Sequence, residues 1–190
     1  MSLAITGAIL IGGRARRMGG LPKGLIRVGT QTIVGRLSTV LKTRCTDVYW
    51  IGDPDGAYAR HGYPIFPDEI PNRGAPGGVY SALHHARTDW VFVLACDLPQ
   101  FDLPAFEKFQ PNPWADAILP RTPHGAQPLA GLWHKRCLPV IKERFEKGQP
   151  GFAEITECLS VDWIECEEDA YINLNTEVDA MRAGAVLPES

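Results

Sequence analysis

The chain has 190 residues, 45% of them hydrophobic and 22% charged, with a formal net charge of −3 at pH 7. That length suits one α/β domain with a full core, and the slight acidity argues against a general binder of nucleic acid or of acidic membrane surfaces. No apolar run is long enough to span a bilayer and no signal-peptide pattern is visible, so neither a membrane anchor nor export is expected. Cys45, Cys96, Cys137, Cys158 and Cys166 stand at irregular spacings without a Cys-x-x-Cys pair. That pattern fits reduced thiols in the cytoplasm and disfavours a disulfide framework or a structural zinc site.

The apolar run Ala8-Ile9-Leu10-Ile11 reads as a buried first strand near residues 7–11. After it, residues 12–23 hold four glycines, three arginines and a lysine. Glycines let backbone N–H groups approach an anion closely and the cations neutralise it, so this loop suits a polyphosphate; the alternative is a solvated basic turn. Ile33, Leu37, Val40 and Leu41 form one apolar stripe at helical spacing. Residues 48–51 predict a second strand ended by Gly52-Asp53-Pro54-Asp55-Gly56, and residues 64–66 a brief third strand. Gly77-Gly78 are expected to open a short helix over 79–86.

Residues 90–95 are continuously apolar and predict a strand near the sheet centre, buried on both faces. Asp102 is a candidate cap for a helix over 103–109, with Pro104 in its first turn. Residues 117–119 and 129–133 read as strands bracketing a loop, 120–128, that carries Arg121, His124 and Gln127. A helix over 135–147 turns Leu138, Ile141 and Phe145 inward; strands follow at 161–164 and 170–174, and a last helix at 176–183 is capped by Thr176 or Asn175. Strands alternating with helices predict an α/β fold, a mostly parallel sheet covered on both faces. With no repeat, linker or low-complexity tract, residues 1–190 are expected to be a single domain.

Two common phosphate loops are excluded. No Gly-Lys-Ser/Thr closes the basic segment, and Gly-x-Gly-x-x-Gly is absent after the first strand. Asp97 ends the buried strand at the carboxyl edge, where ligands bind in open α/β sheets. A hard carboxylate there suits Mg²⁺; the alternative is a helix cap. Cys96 beside it reads as a small packed thiol before a nucleophile, and His84-His85 as an exposed helix pair before a metal site.

The spacing Gly12-Gly13-x-x-x-Arg17-Met18-Gly19-x-x-x-Lys23 resembles the signature of nucleotidyltransferases that join a nucleoside triphosphate to a phosphorylated acceptor. Within that group it is most similar to the molybdenum cofactor guanylyltransferases. Three more segments resemble the family in its chain order: Asp68 before Gly74-Ala75-Pro76-Gly77-Gly78, then Cys96-Asp97-Leu98-Pro99, then Asn173-Leu174-Asn175-Thr176. The turn after Asp68 has Ala75-Pro76 where Pro-Leu is usual, and Ile51-Gly52-Asp53 stands where the family often has Asn.

The resemblance implies a Rossmann-like three-layer sandwich of nucleotidyltransferase type and transfer of GMP from GTP to molybdopterin, with release of pyrophosphate. By position, it implies that Leu10, Ile11, Gly12, Gly13, Lys23, Asp68, Asp97 and Asn175 hold the nucleotide, with Asn173 completing the site. It implies that Arg17, Lys23 and Asp97 act in catalysis and that Asp97 binds Mg²⁺. Gly12-Gly13, where cytidine-using relatives tend to have Ala-Gly, favours guanine. GTP and molybdopterin are then the small-molecule partners, and molybdoenzymes or their chaperones are candidate recipients; no nucleic acid or membrane partner is expected. Two alternatives stay open: cytidylyl or other nucleotidyl transfer to molybdopterin, a sugar phosphate or another phosphorylated metabolite, and a non-catalytic nucleotide-binding domain on the same fold.

Overall fold

A computed structural model describes residues 3–12, 14–15, 21–53, 55–148 and 150–186. In chain order, β1 is Ile5–Leu10, β2 Arg14–Ala15, β3 Leu21–Pro22, β4 Arg27–Val28 and β5 Gln31–Thr32, followed by α1, Ile33–Lys42. Next come β6, Asp47–Ile51; β7, Ile65–Phe66; α2, Gly74–His85; β8, Trp90–Ala95; and α3, Leu103–Glu107. The second half holds β9, Ala117–Thr122; β10, Gly125–Ala126; β11, Ala130–His134; α4, Leu138–Lys147; and α5, Phe152–Thr156. It ends with β12, Val161–Glu165; α6, Glu177–Arg182; and β13, Ala185–Val186.

The main sheet runs β10-β9-β11-β8-β1-β6-β7, with β12 also pairing β9. β8, β1, β6 and β7 are parallel, β11 is antiparallel to both β8 and β9, and β12 is parallel to β9. It follows that β9 and β12 point the same way as β8, and their carboxyl ends share its edge. Arg121 pairs Ala126 of β10 and Glu165 of β12 at once, so β10 lies on the same side of β9 as β11.

Alternation along β8 explains why this strand must be central. Trp90, Phe92 and Leu94 enter one core with α1, α3 and the segment before α6, whereas Val91 and Val93 enter another with α2, α4 and α5. In the first core Phe92 meets Phe101, Phe106 and Phe109 with ring centroids 5.8, 4.6 and 5.0 Å away. Such ring clusters add to the area they bury. No helix among the described residues is long and apolar enough to cross a membrane.

The mostly parallel sheet, the central place of β8 and the cap at Asp102, which accepts from Ala105 N at 3.0 Å, match the sequence reading. Three local expectations need correction. The glycine run 74–78 is not a turn before a helix but the first turn of α2 itself, because Gly77 N already donates to Arg73 O. Residues 170–174 are not a strand. Tyr171 and Leu174 are the buried positions, a spacing of three, and the segment is a 3-10 turn at Asp169–Tyr171 followed by irregular chain. Residues 120–128 are not an open loop, since β9 continues to Thr122 and turns back through β10. A small sheet, β13-β4-β5, was not foreseen. Its pieces are two residues long, too short for periodicity to register.

Candidate functional site

Parallel strands leave their carboxyl ends facing one edge, and three of them set the site. At that edge β1 ends in Leu10, β6 in Ile51 and β8 in Ala95, and backbone bonds extend the alignment beyond the strands. Ile11 N donates to Ile51 O at 2.9 Å and Cys96 N to Leu10 O at 3.2 Å. A cleft of about 460 Å³ opens there, walled by Leu10, Gly12, Lys23, Asp68, Asp97 and the first turn of α2. That size lies within the usual range for small-molecule sites.

Chemistry concentrates on one wall. Lys23 Nζ donates to Asp97 Oδ2 at 2.9 Å and to Asn175 Oδ1 at 2.7 Å. The two charged side chains are only 16% and 19% exposed. Residues separated by 74 and 152 positions therefore converge on one ammonium. Local packing explains the precision. Lys23 begins a 3-10 turn whose Gly24 lies against Cys96, so close that a Cβ at Gly24 would stand 3.0 Å from both Cys96 Cβ and the Tyr58 hydroxyl. That hydroxyl accepts from Gly24 N at 3.0 Å. From the other side, Leu174 N donates to Asp97 O at 2.8 Å, which brings Asn175 beside the pair. Gly24 and Tyr58 are positioning residues that sequence reasoning missed. A lone tyrosine in an irregular segment gives no periodic signal.

Cys96 is buried and its thiol is pushed up to about 12, first by burial and then by the neighbouring Asp97 charge. A thiol held protonated is no nucleophile, so the packing reading of Cys96 holds. Asp68 stands on the opposite wall. Loss of water around it raises its carboxyl above the ordinary value of 3.8, partly offset by the Ser81 hydroxyl. Gly78 of α2 approaches β1 so closely that a Cβ there would meet Leu10 Cδ1 at 2.9 Å, and both residues line the cleft. At Gly12, by contrast, no atom of the described residues beyond its chain neighbours lies within 4 Å of where a Cβ would be. Gly12 lines the cleft, and among the described residues nothing fills the place a side chain would take.

Leu10, Gly12, Lys23, Asp68 and Asp97 thus surround one cavity, with Asn175 joined to it through Lys23. Ile11 is different: its side chain is buried in the core, against Gly52. Asn173 is exposed beyond Leu174. Gly13 and Arg17 lie outside the described residues. His124 sits on the β9–β10 turn, 2.9 Å from Glu168, and is largely exposed. His84 and His85 both face Glu69, at 3.7 and 3.0 Å, and among the described residues no group of three His, Cys, Asp or Glu side chains could hold a metal.

Residues 7–160 match the family model of the MobA-like NTP transferase domain. The molybdenum cofactor guanylyltransferase of Vibrio cholerae serotype O1 is 29% identical over 185 residues, covering 95% of this chain and 91% of that protein. The probable molybdenum cofactor guanylyltransferase of Pelotomaculum thermopropionicum is 30% identical over 198 residues, covering 99% and 96%. Among solved structures, molybdopterin-guanine dinucleotide biosynthesis protein A from Archaeoglobus fulgidus superposes with a TM-score of 0.76 over 94% of this chain and 96% of that one. At 20% identity, that likeness is one of fold.

Proposed function

The chain belongs to the MobA-like NTP transferase family and is a nucleotidyltransferase, and we propose that it transfers GMP from GTP to the phosphate of molybdopterin. The observation that carries this reading is the convergence of Asp97 and Asn175 on Lys23, on one wall of a cleft at the carboxyl edge of the sheet. The names of its relatives supply the base and the acceptor.

In the proposed reaction an acceptor phosphate oxygen attacks the α-phosphorus of GTP, a new P–O bond forms, and the bond to pyrophosphate breaks. Both reactants are anionic, so the protein's work is to neutralise charge and hold the atoms in line. Lys23 places a positive charge on the wall of the cleft beside Asp97 and stabilises charge on the transferring group. Gly12, where no side chain of the described residues fills the place of a Cβ, lets the base lie against backbone, and Asp68 on the far wall meets the nucleoside. Arg17 is proposed to contact the phosphates.

Asp97 Oδ2 and Asn175 Oδ1 both lie within 2.9 Å of one cationic nitrogen. Two hard oxygens already converging on a positive charge form a donor set that fits Mg²⁺, which keeps several waters and needs no all-protein cage. Held by Asp97 and Asn175, such an ion would supply charge neutralisation to the phosphates. We also read residues 1–190 as one catalytic domain working in the cytoplasm.

Calorimetric titration with GTP, CTP and ATP, each with Mg²⁺, tests the reading, followed by turnover of molybdopterin. GTP is expected to bind at least tenfold tighter than CTP and to release pyrophosphate only when the acceptor is present. Preference for CTP would move the protein to cytidylyl transfer. A folded sample without GTP-dependent turnover would refute the proposal.

A further inference from the structure

Helix α2 runs alongside the chain that leads out of β7, and the contacts pair the two segments step by step. At the end remote from the cleft, the His85 ring stacks on Phe66 with centroids 4.4 Å apart. In the middle, Ser81 Oγ accepts from Glu69 N at 2.9 Å. Nearer the cleft, a Cβ at Gly77 would stand 3.4 Å from Ile70 O. Residues 77, 81 and 85 are each four apart, so they form one stripe along the helix. Asp68 lies between the contacts at Phe66 and Glu69 and lines the candidate site. Ser81 is fully buried. Its hydroxyl donates to Gly77 O at 2.8 Å, the ordinary back-bond of a helical serine. That bond does not account for what it accepts from Glu69, outside the helix. The hydroxyl also favours the charged form of Asp68 against the effect of burial. Glu69 turns its own carboxylate toward His84 and His85, away from the cleft. His85 Nε2 comes within 3.0 Å of it without the alignment of a hydrogen bond, so the directed bond at Ser81 fixes the angle of the segment.

Resting on the guanylyl-transfer reading, in which Asp68 meets the nucleoside, we propose that Ser81 is the positioning residue for that contact. Ser81 does not line the cleft and touches no substrate. It acts through its neighbours, by anchoring Glu69 N and by hydrogen-bonding the Asp68 carboxylate. A carboxylate binds a nucleoside by accepting from hydroxyl or N–H groups, and such bonds weaken steeply when misaligned. Residues 67–70 belong to neither a helix nor a strand, so no ladder supplies that alignment. A backbone N–H tied to a buried group on α2 supplies it instead. The same tie spares the cost of ordering the segment when the nucleotide arrives. The direction of the effect follows. Without the Ser81 hydroxyl, binding of the nucleotide weakens alike in the ground state and the transition state, so KM rises and kcat holds.

The test is a double-mutant cycle. GTP affinity is measured by calorimetry with Mg²⁺ for wild type, S81A, D68A and the double variant, with kcat and KM taken from pyrophosphate release on molybdopterin. S81A is expected to weaken GTP binding about tenfold. KM for GTP should rise by a similar factor while kcat changes less than about threefold. In the D68A background the same substitution should change binding less than about twofold, because the contact it positions is gone. S81C fills the space of the hydroxyl with a weakly hydrogen-bonding thiol and should behave as S81A does; it carries the test if the alanine variant fails to fold. An equal loss in both backgrounds, a loss below about twofold in the wild-type background, or a D68A variant that binds GTP like wild type would overturn the assignment. So would a fall in kcat with KM unchanged. GTP-dependent turnover without coupling between Ser81 and Asp68 sinks the assignment and leaves the function. Coupling seen with CTP as the preferred nucleotide sinks guanylyl transfer and leaves the assignment. Binding of no nucleotide sinks both.

Discussion

Replacing Lys23 by methionine keeps an unbranched, flexible side chain one atom shorter and removes its charge and donors. The ammonium makes two bonds, to Asp97 Oδ2 at 2.9 Å and Asn175 Oδ1 at 2.7 Å, in a position 16% exposed. Hydrogen bonds to charged groups contribute about 1.5–3 kcal/mol each when protected from water. Asp97 keeps some access to solvent and recovers part of that loss, so the net destabilisation should be about 2 kcal/mol. For a chain of this size that is a fall in Tm of about 4–8 °C. Catalysis should suffer more. Losing one charge-stabilising donor costs roughly 3 kcal/mol in the transition state, a fall of about 10²–10³ in kcat. GTP affinity should drop less than about tenfold, because in the free protein Lys23 must leave Asp97 before it can reach a phosphate. Thermal unfolding, calorimetry and pyrophosphate release measured on the one variant give all three numbers. Activity above a tenth of wild type, or a loss of stability beyond about 4 kcal/mol, would mean that the pair is chiefly structural.

Tyr58→Phe removes the acceptor for a buried N–H at Gly24 and should cost about 1–3 kcal/mol in denaturant unfolding, with a loss of kcat as the Lys23 turn loosens; unchanged stability would contradict the positioning role. Asp68→Asn should stabilise the protein at neutral pH. The folded state raises this carboxyl above 3.8, so its contribution is fully present below that pH and is lost as pH rises through the raised value. The gain over wild type must therefore vanish in acid, and an equal gain at both pH values would rule out titration as its source. Under native conditions near pH 8 a chromogenic thiol reagent should label Cys158 fast, since it is the exposed cysteine, whereas Cys45, Cys96 and Cys137 are pushed up to about 12 by burial. Fast labelling of Cys96 would show that the strand end beside Asp97 is not packed as described.

The fold was legible wherever a pattern ran long enough to repeat. The stripe Ile33, Leu37 and Leu41 gave α1, and the unbroken run Trp90–Ala95 gave a central strand, because burial on two faces leaves no polar positions to interrupt it. It was least legible where pairing replaces pattern. The two-residue strands β4 and β13 exist because each has a partner across the chain, and α2 begins inside a glycine run because its first turn packs on Leu10.

The candidate site divides along the same line. Its local pieces, a bare backbone at Gly12, a lysine closing a basic loop and a carboxylate at a strand end, are properties of short segments, so the sequence alone named them. That Lys23, Asp97 and Asn175 meet on one ammonium was decided by tertiary contacts between distant segments. Gly24 rests on Cys96, Tyr58 bonds to Gly24, and Leu174 ties to Asp97. The pairing of Arg121 with Trp163 depends likewise on β9 and β12 lying side by side. Neither follows from spacing, since the energy that fixes these contacts comes from cores that exist only once the sheet has formed.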